Sequence, residues 1–163
     1  MATLAVLRFS NPQDAGRALD RIRPLQRQRL INIQDAAIVT WHEDRDKPKM
    51  KQLDSLSSTR KFNDAFWGVL FSLVFTDPFF GMPAAASNGI LTSQFSSFGI
   101  SSEFIIEIKR WLNAGCSALV LLLGDEELDK LLLRFKGQSI EVISVQLTSK
   151  QEEGLYSVFD NER

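Results

Sequence analysis

Among the side chains able to do acid–base or metal chemistry, the 163-residue sequence brings together one set: His42, its single histidine, beside Glu43, Asp44 and Asp46. A metal site needs ligands that converge at defined spacing, and one histidine with neighbouring acids on a turn does not supply that. The single cysteine, Cys116, has no histidine near it in sequence. Its setting, Gly115-Cys116-Ser117-Ala118-Leu119, is that of a thiol packed at the entry to a buried strand. Gly81 and Gly89 stand in neither a phosphate loop nor a dinucleotide-binding pattern. The expectation is a protein that is not an enzyme and has no catalytic residue, metal or cofactor.

Two other sets of residues are suited to contact rather than chemistry. Phe66, Trp67, Phe71, Phe75, Phe79 and Phe80 fall in and just after Ala65 to Thr76, a run of twelve residues without a charge. Aromatics of this size bury much area and often anchor interfaces. Arg17, Arg21, Arg23, Arg27 and Arg29 form a basic stretch, and the charge of the whole chain is polarised around it. Through Lys61 there are twelve Lys/Arg and seven Asp/Glu, whereas from Phe62 onward there are seven and thirteen, for a net charge of -1. Such polarity favours head-to-tail self-association or a basic face turned to an anionic surface.

The elements that must position these residues follow a repeated plan. Thr3 to Phe9 is an apolar run suited to a strand covered on both faces. Asn11-Pro12 predicts a helix start, with Ala15, Ala18, Leu19 and Ile22 on its buried face, and Pro24 predicts a kink or an end near Arg23. Ile33 to Trp41 is a second strand, closed by the charged turn around His42. Ser117 to Leu123 then repeats the first strand. Asp125 is placed to cap a helix with acids in its first turn, Leu128, Leu131, Leu132 and Phe135 as its apolar stripe, and Gly137 as its stop. Ile140 to Leu147 alternates as a last strand, and a capping box at Ser149 opens a terminal helix with Leu155, Tyr156 and Phe159.

Two strand-helix-strand units interleaved in one antiparallel sheet, with both helices on one face, make the ferredoxin-like α+β arrangement. The expected organisation is a single domain, 1–163. Its first repeat is 1–47, a helical apolar insertion 48–114, its second repeat 115–148 and a C-terminal helix 149–163. Within the insertion, Met50 to Leu53 suits a short strand and Ser101 to Asn113 a helix capped by Ser101, with Ile100 and Ile105 as a hydrophobic staple.

As a helix, the uncharged run spans about 18 Å, against a hydrocarbon core of about 30 Å. Extending it would place Asp77 and Pro78 in mid-span, the aspartate alone costing roughly 2.5–3.5 kcal/mol on insertion scales. It is therefore not expected to cross a bilayer alone. Because it is apolar on every side, something must cover it: the domain's own sheet, the Phe104/Trp111 helix, a second subunit, or lipid.

The order of parts resembles a bacterial family called domain of unknown function 1269. The resemblance is carried by Asn11-Pro12-Gln13-Asp14-Ala15 opening the first helix and by Leu30 to Val39 as the second strand. Phe98-Gly99-Ile100-Ser101-Ser102-Glu103-Phe104 before a helix and Gly115-Cys116-Ser117-Ala118-Leu119 as a strand entry complete it. It extends over nearly the whole chain. Members are commonly described as predicted membrane proteins because their centre is a glycine- and alanine-rich apolar hairpin, and the resemblance implies no catalytic residues. Here glycines are sparse, phenylalanines replace them, and Asp77 and two prolines intrude.

The functional expectation is self-association into a homo-oligomer, or docking on another protein or a membrane surface, through the Phe-rich insertion, with the arginines as a second contact. The alternative is a ferredoxin-like small-molecule-binding regulatory domain. Nucleic acid is not an expected partner, since Phe9 and Trp41 are accompanied by no basic-aromatic signature on the strands. An N-terminus without a basic region or cleavage site, together with a single cysteine, points to the cytoplasm, with membrane association left open.

Overall fold

The computed structural model describes residues 2–46, 48–53, 67, 70–71, 96–135 and 140–159, with the side chains of 52, 156, 158 and 159 left out of that description. The elements are β1 (Ala2–Phe9), α1 (Asp14–Arg27), β2 (Ile33–Thr40), β3 (Lys49–Gln52), α2 (Ser102–Trp111), β4 (Ser117–Gly124), α3 (Asp125–Arg134), β5 (Glu141–Leu147) and α4 (Ser149–Phe159). This α+β chain forms one five-stranded sheet in the order β3-β2-β4-β1-β5, every neighbouring pair antiparallel.

The apolar runs lie in the middle of the sheet, as continuous hydrophobicity requires. β1 is bonded on both sides, with Val6 opposite Val120 on β4 and Ile143 on β5. Its alternate residues serve two cores. On one face Ala5, Leu7 and Phe9 join Ala15, Ala18, Leu19 and Ile22 of α1 and Leu128 and Leu131 of α3. On the other, Leu4 and Val6 join Phe104, Ile105 and Ile108 of α2, Leu155 of α4, and Trp67, Leu70 and Phe71. The sheet is thus covered on both faces by its own chain. Each fully buried leucine on β4 contributes about 1.5–3 kcal/mol by leaving water.

Several local expectations are corrected. α1 runs past Pro24 to Arg27. A proline so near the C-terminus costs the helix only the bond to the Asp20 carbonyl, and the carbonyls beyond it find other donors. Arg29 N–H donates to the Gln26 carbonyl at 3.1 Å and Leu30 N–H to the Leu25 carbonyl at 2.9 Å, with Arg29 at φ 61°, so the stop is a Schellman motif closed by a non-glycine. The helix begins at Asp14 rather than Pro12. Asn11 Oδ1 accepts the backbone N–H groups of Gln13 (3.1 Å) and Asp14 (2.9 Å), while the buried Ser117 hydroxyl donates to the Asn11 carbonyl and accepts from Ala15 N–H.

At α3, Gly124 occupies the cap position and Asp125 is the first helical residue. The Asp125 carboxylate instead accepts from the Thr3 hydroxyl and from Gln146 Nε2, joining the helix start to β1 and β5. The predicted stop at Gly137 lies outside the described residues. The capping box of α4 sits one residue earlier than the sequence predicts. Gln151 N–H donates to Thr148 Oγ1 at 3.1 Å, and Thr148 N–H donates to Gln151 Oε1 at 2.8 Å. Ser101 does cap α2, accepting from Phe104 N–H at 3.1 Å, with Ile100 and Ile105 both buried beside it.

Candidate interaction surface

His42, Glu43, Asp44 and Asp46 are all exposed on the turn between β2 and β3. The turn is closed by the Arg45 N–H bond to the His42 carbonyl and by Trp41 Nε1 donating to the Arg45 carbonyl at 3.0 Å. Beside it lies an open depression lined by Asp44, Arg45, Asp46, Pro48 and Lys49, in which both signs of charge are mixed. Among the described residues no three His, Cys, Asp or Glu side chains are grouped as metal ligands. Cys116 is buried in the core under α2, its sulfur accepting the Asn113 N–H at 3.4 Å, which matches the packed thiol its strand setting implies.

The aromatic run divides. Phe66, Phe75, Phe79 and Phe80 lie outside the described residues. Trp67 and Phe71 are helical, stacked on one another with ring centroids 6.0 Å apart, and left only 3% and 6% exposed against the chain's own sheet. Of the covers open to this segment, the sheet and the Phe104/Trp111 helix, α2, share the cluster that buries these two rings. They are core residues rather than a presented surface.

What holds Trp67 there was not legible as a site. Its indole Nε1 donates to Asp35 Oδ2 at 2.9 Å, and Asp35 is fully buried on β2. A β-bulge brings the carboxylate to this face. Ile33 pairs with Leu123 and Asp35 with Leu122, so Gln34 is the extra residue and the alternation is reset. Asp35 Oδ1 also accepts the Ala36 N–H at 2.9 Å. The sequence signal was an acid inside the apolar run Ile33 to Val39, where an unpartnered charge is too costly to bury.

The arginines do not form one free surface. Arg17 pairs with Asp14 at 3.1 Å on the exposed flank of α1. Arg21 donates to the Arg134 carbonyl at 2.8 Å and lies over the Phe135 ring at 4.6 Å, a cation placed at the negative end of α3. Arg23 is 3.9 Å from Asp20. Arg27 and Arg29 are exposed, Arg29 being the residue that closes the helix. An unpredicted arginine is the most connected. Arg8 donates to the Trp111 carbonyl at 2.6 Å, Glu141 at 2.7 Å and Asn113 at 3.4 Å, tying β1 to the end of α2 and to β5.

Glu127 is a similar connector. It accepts the Asn32 N–H at 2.7 Å and pairs with Lys130 at 3.1 Å. The Asn32 bond, with smaller help from Lys130, holds its carboxyl below the ordinary glutamate range despite partial desolvation.

Among the described residues no helix is long and apolar enough to cross a membrane. No curated protein and no solved structure matches the chain. A family model described as Protein of unknown function (DUF1269) matches residues 62–160, from the start of the Phe-rich segment to the end of α4, and leaves the β1-α1-β2 unit outside the match. With more than half of its length so matched, the chain belongs to the family described as Protein of unknown function (DUF1269).

Proposed function

We propose that this chain is a non-enzymatic association protein on a ferredoxin-like framework, which docks on a second copy or on another protein through its Phe-rich segment. The framework reading is supported by the order β2-β4-β1-β5 with α1 and α3 on one face, β3 being an added edge strand. The functional reading is carried by the other face. Trp67 and Phe71 occupy it together with α2 and α4, where stacked bases or a small ligand would need an open sheet. The polar side chains nearby are spent on joining elements: Asp35 to Trp67, Asp125 to Thr3 and Gln146, Arg8 to α2 and β5. A small-molecule regulatory role is the weaker alternative for the same reason.

In this reading Trp67 and Phe71 anchor the segment. Phe66, Phe75, Phe79 and Phe80 are its contact residues, with Arg17, Arg27 and Arg29 as a second, basic contact. Light scattering of the wild type and a Phe75→Ser, Phe79→Ser double variant tests it, with far-UV circular dichroism as the folding control. The expected result is a wild-type assembly whose mass falls in a variant of unchanged helicity. An identical mass for both proteins overturns the self-association version. Flotation with anionic liposomes in the same series separates a membrane surface from a protein partner.

A further inference from the structure

The two edges of the sheet are built differently. β3 is four residues long, Lys49-Met50-Lys51-Gln52, and carries two lysines. Short length and lysines are how natural sheets prevent another strand from adding to an edge. β5 has neither protection. It is seven residues, Glu141-Val142-Ile143-Ser144-Val145-Gln146-Leu147, with no lysine or proline. It pairs with β1 along one side, and no strand among the described residues pairs with its other side.

Its apolar side chains are unevenly buried: Leu147 is fully buried at its end, and the other three are only partly covered. Ile143 and Val145 pack partly against the core under α2 and α4, and Val142 against the core under α1 and α3, while Ser144 and Gln146 are exposed. A strand whose inner side is bonded and whose outer side keeps its backbone donors and acceptors is a template for one more strand.

We infer that β5 is a homodimerisation edge, pairing antiparallel with β5 of a second copy so that two five-stranded sheets become one. The sequence of the strand is self-complementary about Ser144. In that register Ser144 faces Ser144 of the other copy, Ile143 faces Val145, Val142 faces Gln146, and Glu141 faces Leu147. Opposed residues of an antiparallel pair share a face, so Ile143 and Val145 from both copies form one apolar row continuous with the core under α2 and α4. The one charge in the strand, Glu141, is held by Arg8 and meets no like charge across the pair. Seven residues paired in this way exchange roughly six to eight backbone hydrogen bonds. The symmetry is isologous and closed, so pairing stops at two copies.

Because Ser144 lies on the two-fold axis and is exposed, one substitution tests the pairing without touching the core. Ser144→Lys places two ammonium groups directly opposite one another, and Ser144→Glu does the same with carboxylates; mixing the two variants restores opposite charges. The expected result by light scattering, read in the Phe75→Ser, Phe79→Ser background that removes the proposed Phe-rich contact, is a dimer, loss of the dimer in each Ser144 variant alone, and its return in the equimolar mixture. Thermal unfolding confirms that each variant is folded. A monomeric wild type overturns the inference, as does a dimer indifferent to Ser144→Lys or a mixture that fails to recover. A dimer that survives Ser144→Lys and is lost in the Phe75→Ser, Phe79→Ser variant assigns association to the Phe-rich segment instead.

Discussion

Replacing Trp67 by phenylalanine tests whether the segment after β3 is fixed to the sheet by a hydrogen bond or only by apolar contact. Asp35 is fully buried, and the Trp67 indole donates to its Oδ2 at 2.9 Å. Removing the donor leaves a buried acceptor unsatisfied, which costs about 1–3 kcal/mol. The smaller ring adds roughly 1 kcal/mol of lost packing. Trp67→Phe is therefore expected to cost about 2–4 kcal/mol, a large share of the roughly 5–15 kcal/mol that holds such a domain together. Urea unfolding followed by far-UV circular dichroism measures it.

The control is the same change in an Asp35→Ala background, where the Asp35 contribution is gone and a cost of roughly 1 kcal/mol is expected. The cycle should return a coupling of about 1–3 kcal/mol. Equal costs in the two backgrounds would refute the reasoning, since they would mean that the indole and the carboxylate do not interact.

Gly154 in α4 and the acid dependence of Glu127 supply two more predictions. A Cβ on Gly154 would lie 2.2 Å from Phe98 Cε1 and 2.3 Å from Cδ1, and Phe98 is itself packed against the core. Alanine normally gains about 1 kcal/mol over glycine in a helix, but overpacking costs about 1–3 kcal/mol, so Gly154→Ala should be neutral to about 2 kcal/mol destabilising. In a Phe98→Ala background the sign should reverse to about 1 kcal/mol stabilising, and thermal unfolding that shows one sign in both backgrounds would refute the clash. The carboxyl of Glu127 is held below its ordinary value in the folded state, chiefly by Asn32 N–H. Its contribution is therefore complete above the unfolded value and lost as pH falls through the folded one. Glu127→Gln should lie below the wild type in urea midpoint at neutral pH, with the gap narrowing as pH falls below the ordinary glutamate range; a gap of constant size would refute the linkage.

The sequence revealed most where one physical rule acted alone. β1 and β4 are continuous apolar runs, and only a strand covered on both faces suits them. α3 was visible because its acids precede its leucines and its arginine follows. Local signals mislead where they compete with their neighbours. Pro24 marks a helix end, yet in a last turn it removes a single bond, and Leu25, Gln26 and Arg29 complete the stop. Ser149 and Thr148 are equally good caps by residue type, and Gln151 decides between them by reaching back to the Thr148 N–H. Uniform apolarity between Ala65 and Thr76 requires a cover without specifying it. Asp35 carries that information only together with Trp67, thirty-two residues away, and a bulge that periodicity does not register.

The two proposed contact surfaces are linked through one core, which fixes how they can be told apart. Trp67 and Phe71 share their cluster with α2, α4 and the inner sides of Ile143 and Val145. A substitution that loosens Trp67 would therefore disturb the backing of β5 as well as the start of the Phe-rich segment, and a lost assembly in such a variant would assign nothing. Ser144 projects from the opposite face of β5, in register with Ala5 and exposed. A charge there changes the edge while leaving the Trp67 cluster packed. Ser144→Lys therefore perturbs the proposed edge contact without altering the proposed Phe-rich contact, and the two can be separated by that one substitution.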